Sequence, residues 1–102
     1  MVNADPFHYF VFSSRIKDKL EEKHDVTKVE VKECFVNSTK KHIVDTREKH
    51  RTSPPTLWFI TETYAGRLLK VCYIYDETTN EVFIKTAYEP NSIEIQIYEE
   101  RS

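Results

Sequence analysis

Between His42 and Arg51 the chain sets His42, Asp45, Arg47, Glu48, Lys49, His50 and Arg51 in one short polar stretch. Imidazoles exchange protons near neutral pH, and guanidinium groups stabilise negative charge that grows during a reaction. His50 therefore has the chemistry of a general base or acid, and Arg47 and Arg51 that of an anion clamp. The competing reading is a solvated, charged loop with no site, and the sequence alone weights the two equally. A metal site built on His42, Asp45 and His50 is disfavoured because their spacing matches no compact ligand motif.

Outside this stretch, Lys23 and His24 stand together at the end of an amphipathic segment, where both also suit the carbonyl end of a helix. Lys70 and Lys85 interrupt apolar runs. Either they open a basic sheet face to a polyanion, or their long stems cover apolar surface while the ammonium groups reach water. Tyr88 ends the last of these runs, where its hydroxyl can donate to a phosphate oxygen or act as a weak acid. Most of the other aromatic residues read as core, although aromatic rings also serve as platforms for RNA bases. The sequence holds no Ser/His/Asp set, Gly-rich phosphate loop or Cys-x-x-Cys pair. Its two cysteines, Cys34 and Cys72, lie far apart in apolar settings and read as buried thiols.

These residues must be positioned by a small body. The chain has 102 residues, 39% of them apolar, with one Gly and four Pro. That fits one domain with a real core and no chamber for an enclosed cofactor. No run approaches a membrane span, and the first residues lack the pattern of a secretory signal, which predicts a cytoplasmic protein with an ordered core over about 7–100. Net charge is -2, divided as -1 over residues 1–14, +3 over 15–51 and -4 over 52–102. The basic excess lies in the first half, while the overall balance argues against a broadly basic coat for nucleic acid.

Phe12, Ile16 and Leu20 recur every fourth residue, with Ser13 or Ser14 as N-cap, and predict a first helix. Thr27 and Glu30 form a capping-box pair opening a second helix that runs to about Val36. HIVDT reads as a short extended piece. After Pro54 and Pro55 the runs TLWFITETY, RLLKVCYIY and EVFIKTAY predict three antiparallel strands in a meander. A two-residue turn at Ala65 and Gly66 predicts the pairs Tyr64/Arg67, Glu62/Leu69 and Thr61/Lys70. A four-residue loop over 77–80 predicts Cys72/Lys85 and Leu69/Tyr88. Trp58, Ile60, Leu69, Val71 and Tyr73 then share one face, and Leu57, Phe59, Lys70, Cys72 and Lys85 the other. For the last segment two signals conflict: Ile93, Ile95 and Ile97 alternate as in a strand, while Asn91 and Glu94 stand at capping-box distance. The expectation is an α+β domain, with two N-terminal helices packed on a three- to four-stranded antiparallel meander and a short C-terminal element. Two helices cover one sheet face, so the other is expected to meet a second copy or a different protein.

Particular residues add a resemblance. Lys23-His24-Asp25-Val26, Val29-Glu30-Val31, Cys34-Phe35, Asp45-Thr46-Arg47, Gly66-Arg67-Leu68-Leu69, and Thr86-Ala87-Tyr88 with Glu94 and Tyr98 resemble the BrnT-like toxins, whose fold is of the small RelE/ParE-like ribonuclease type. The family pattern has Gly at the position of Asp25 and Arg at that of Tyr88. The resemblance implies a cytoplasmic, metal-independent endoribonuclease that needs no cofactor and is neutralised by a protein antitoxin. It implies RNA as substrate, for which the residues read above give His50, Arg51, Arg47 and Tyr88 as candidates in catalysis and Lys23, His24, Arg67, Lys70 and Lys85 as candidates in substrate binding. A non-catalytic binding module on the same fold is the alternative. The chain also resembles short bacterial proteins carrying DTRExHRTxPPTxWFI, some of which bear the name ADP-ribosyl-(dinitrogen reductase) hydrolase. Such hydrolysis uses clustered carboxylates that hold metal ions, and no such cluster is evident in the sequence.

Overall fold

The computed structural model describes residues 9–47 and 52–102. Its elements are β1 (Phe10–Val11), α1 (Ser14–Lys23), α2 (Lys28–Asn37), β2 (Ile43–Val44), β3 (Thr56–Glu62), β4 (Leu68–Asp76), β5 (Glu81–Tyr88) and α3 (Ser92–Arg101). This is an α+β domain on a five-stranded sheet in the order β1-β5-β4-β3-β2. β2 to β5 are antiparallel neighbours, and β1 runs parallel to β5 through Phe10/Val82 and Val11/Phe83. β1 and its parallel pairing add an edge strand to the expected antiparallel meander.

The helix starts follow local chemistry. The Ser13 hydroxyl accepts from the Ile16 amide, and Thr27 and Glu30 complete a reciprocal capping box. Between α1 and α2, Asp25 adopts φ +52, a left-handed conformation that favours glycine. The conflict in the last segment resolves as helix. Asn91 and Glu94 cap each other's backbone groups, and Tyr98 is buried in the resulting helix against Trp58, with ring centroids 5.6 Å apart.

The β3–β4 register differs from expectation by one residue: Glu62 faces Leu68, Thr61 faces Leu69 and Ile60 faces Lys70. The turn spans residues 63–67 because Thr63 closes it twice. Its carbonyl accepts from the Gly66 amide at 2.9 Å and its hydroxyl from the Arg67 amide at 3.1 Å, with Gly66 at φ +87. The outer half of β4–β5 has the expected register, with Asp76 facing Glu81. At Lys85 a bulge shifts the inner half, so that Cys72 faces Thr86 and Lys70 faces Tyr88.

A slip of one residue exchanges the faces. Leu57, Phe59, Leu69, Val71, Tyr73, Ile84 and Ala87 share one face, and Thr56, Trp58, Ile60, Lys70, Cys72, Thr86 and Tyr88 the other. The first face carries the main core, where Phe35 of α2 packs on Phe59 at 4.8 Å and on Tyr73 at 5.1 Å. Beneath α2, His42 stacks on Phe59 at 4.1 Å and bonds to both Ser38 and the Tyr73 hydroxyl. The second face, expected to need a partner, is covered in part by α3. Cys34 and Cys72 are buried and unbridged, with burial pushing their thiols up to about 12 and about 11. No helix among the described residues is long and apolar enough to cross a membrane.

Candidate functional site

On the α3 side of the sheet, beside the end of α1, lies a cleft of about 580 Å³. α1 contributes Lys19, Lys23 and His24; the segment after β2 contributes Asp45 and Arg47; β3 contributes Thr56, preceded by Thr52; the floor is Cys72, Lys85, Thr86 and Tyr88. Four cations from three separate segments thus face one another with a single carboxylate among the lining residues. The spacing of Lys19 and Lys23, one helical turn apart, was a legible signal that the sequence reading did not use.

The carboxylate is committed. Asp45 is buried and accepts from the Arg47 backbone amide at 3.1 Å, from Nε at 3.1 Å and from Nη2 at 2.9 Å. This fixes the guanidinium plane and raises the Arg47 pKa, while the Arg47 side chain keeps 57% of its surface exposed.

His24 lies against Tyr88, with ring centroids 5.5 Å apart. Burial, then the charges of Lys19 and Lys23, lower its pKa from 6.5, so the imidazole is neutral at pH 7 and able to accept a proton. Tyr88 is different. Its hydroxyl donates to Glu94 Oε2 at 2.6 Å, and burial together with that bond pushes its pKa well above the ordinary tyrosine value. The phenol is a fixed donor and a poor acid. In the same cleft the Thr86 hydroxyl oxygen is buried and lacks a hydrogen-bond partner among the described residues, and no sequence signal marks it.

The structure therefore brings Arg47, Tyr88, Lys23, His24 and Lys85 to one cleft and sets two other candidates to different work. Arg67, expected to bind substrate, is tied up in the fold. It donates to the carbonyls of His24 at 3.0 Å and Asp25 at 2.6 Å, and it pairs with Glu30 at 3.2 Å and Glu89 at 2.9 Å. Lys70 is buried beside the cleft, where it donates to Glu94 Oε2 at 2.9 Å and lies 4.5 Å from the centroid of the Trp58 ring. His50 and Arg51 lie outside the described residues. Among the described residues no group of His, Cys, Asp and Glu side chains is placed to hold a metal ion.

A second pocket, of about 250 Å³, adjoins the first across the Asp45–Arg47 pair and is lined by Asp45, Thr46, Arg47, Trp58, Lys70, Glu94, Ile97 and Arg101. No protein-family description, curated protein or solved structure matches this chain.

Proposed function

We propose that the domain binds single-stranded RNA in the cationic cleft and cleaves it with its own side chains, as a cytoplasmic BrnT-like toxin held in check by a protein antitoxin. The observation that carries the reading is the convergence of Lys19, Lys23, Arg47 and Lys85 with a neutral His24 around the unpartnered Thr86 hydroxyl. A phosphodiester supplies negative charge to a cleft whose one carboxylate, Asp45, is already bonded to Arg47, and an acceptor for the Thr86 hydroxyl. Two backbone positions add support: Asp25, where the family pattern has Gly, has positive φ, and so does Gly66 in the hairpin.

In this reading the His24 imidazole takes the proton of the ribose 2′-hydroxyl, and the 2′-oxygen attacks phosphorus. The bond from phosphorus to the 5′-oxygen breaks, and that oxygen takes a proton from the Lys23 ammonium. Arg47 and Lys85 stabilise the charge on the phosphorane. The products are a 2′,3′-cyclic phosphate and a 5′-hydroxyl end. Tyr88, tied to Glu94, donates a hydrogen bond and transfers no proton.

The test is incubation of purified protein with single-stranded RNA in the presence of a chelator. Cyclic-phosphate ends are expected from the wild type, and loss of about 10²-fold or more in rate from His24→Ala. Lys23→Glu with Lys85→Glu should weaken RNA binding and lower its salt dependence by about 0.7 per removed contact, whereas Lys41→Glu, on an exposed residue away from the cleft, should not. The engagement of Tyr88 by Glu94 and of Arg47 by Asp45 favours the second reading, a binding module without cleavage. Salt-dependent RNA binding with no cleavage, and normal growth on induction in a bacterial host, would establish that reading instead.

A further inference from the structure

The cleft and its neighbouring pocket differ in chemistry although they share a wall. The cleft is rimmed by ammonium groups and hydroxyls. The neighbour adds the ring of Trp58 and the aliphatic side chain of Ile97, and its carboxylates are already paired, Asp45 with Arg47 and Glu94 with Lys70, so an apolar wall with a polar edge faces a flat heterocycle there. The shared wall is Arg47, whose guanidinium is locked in plane by Asp45 and whose side chain remains 57% exposed. A guanidinium plane fixed in this way is a stacking surface for a nucleobase. Ile97 is 38% exposed beside it, an apolar group that the fold of the domain leaves uncovered.

We propose that the pocket between Arg47, Trp58 and Ile97 is a base subsite: it takes the heterocycle of the ribonucleotide whose phosphate lies in the cationic cleft, stacked on the Arg47 guanidinium. The proposal rests on the phosphate reading of the cleft and adds what discriminates a nucleotide from other phosphates. Arg47 thus serves two neighbours, facing phosphate along one edge and a base across its plane. Its assignment to charge stabilisation alone misses the second role.

The experiment uses the single tryptophan as reporter in the intact protein, titrated with inorganic phosphate, ribose 5-phosphate and adenosine monophosphate. The nucleotide is expected to bind about tenfold more tightly than ribose 5-phosphate, the size of one base stacked on a protein platform, and to change Trp58 fluorescence where the sugar phosphate does not. Ile97→Asp, checked for native circular dichroism, should erase that advantage and leave ribose 5-phosphate binding unchanged. Equal affinity for the nucleotide and the sugar phosphate, or equal loss of both in Ile97→Asp, overturns the base subsite and leaves the phosphate cleft standing. Absence of binding by all three overturns the cleft reading as well.

Discussion

The guanidinium of Arg67, on the β3–β4 hairpin, donates to the main-chain carbonyls of His24 and Asp25 at 3.0 and 2.6 Å, and so fastens the end of α1 that carries Lys23 and His24 to the sheet. Glu30 of α2 and Glu89 beyond β5 complete the same clamp. Arg67→Gln leaves two carbonyls and two carboxylates without their donor and should cost about 2 kcal/mol of unfolding free energy. Arg67→Lys should recover only part of this, because one ammonium cannot span four acceptors set around a planar fork. Urea denaturation, with the slope unchanged, checks both. A Gln variant as stable as wild type would remove the clamp from the account.

Glu94 answers two side chains with one oxygen, accepting from Tyr88 and from the buried Lys70. Burial alone would raise its pKa, but the bonds from Tyr88, the Asn91 amide and Lys70 outweigh this and hold it below 4.5. A carboxylate with a lowered folded pKa contributes stability that is complete above its unfolded value. That contribution is lost as pH falls from 4.5 through the folded value. Glu94→Gln should therefore flatten the acid limb of the stability profile. At neutral pH it should cost about 3 kcal/mol, since it strands the Lys70 ammonium. Equilibrium unfolding of both proteins from neutral to strongly acidic pH measures each effect.

How far the site was legible in the sequence depends on which bonds fix each part. Local chemistry was readable: Thr27 with Glu30 set α2, and the same arrangement at Asn91 and Glu94 outweighed the alternation of three isoleucines in α3. The faces were not readable. They hang on the Thr63 hydroxyl closing a longer turn and on the bulge at Lys85, and composition records neither. The exchange of faces moved Lys70 from an open surface to a buried pair with Glu94 and set Trp58 beside Cys72. The bonds that hold Arg67 were not readable either, because its partners come from three distant segments. Lys23, His24, Lys85, Arg47 and Tyr88 do meet, but through pairing between remote parts of the chain. β1 escaped notice because two residues carry too little pattern to mark a strand.

His42 sits under α2, stacked on Phe59 and bonded to Ser38 and Tyr73, and burial lowers its pKa from 6.5. Below pH 6.5 the unfolded chain gains a proton that the folded chain does not, so stability falls with pH until the folded value is reached. His24 shifts in the same direction and adds to the slope. His42→Gln should lower stability by about 1–2 kcal/mol at neutral pH through the lost bonds and stack. Its stability should decline less steeply than the wild type's as pH falls below 6.5, without becoming flat. Denaturation midpoints across this range decide it, and an unchanged slope would assign the pH dependence to other groups.

Thr86 lies where β5 crosses the floor of the cleft, its hydroxyl oxygen buried and without a partner among the described residues. A hydroxyl withdrawn from water with nothing to bond costs free energy, and valine has the same shape without that cost. Thr86→Val should therefore leave the protein as stable as wild type or up to about 1 kcal/mol more so, against the usual direction for a buried substitution. If the hydroxyl is kept for a phosphate oxygen, the same variant should lose about tenfold in affinity for single-stranded RNA, while Thr86→Ser retains most of it. Such a trade, stability gained where binding is lost, marks a group held ready for a ligand. A valine variant that is clearly destabilised and binds RNA unchanged would instead make Thr86 part of the framework, leaving the four cations and His24 as the binding surface of the cleft.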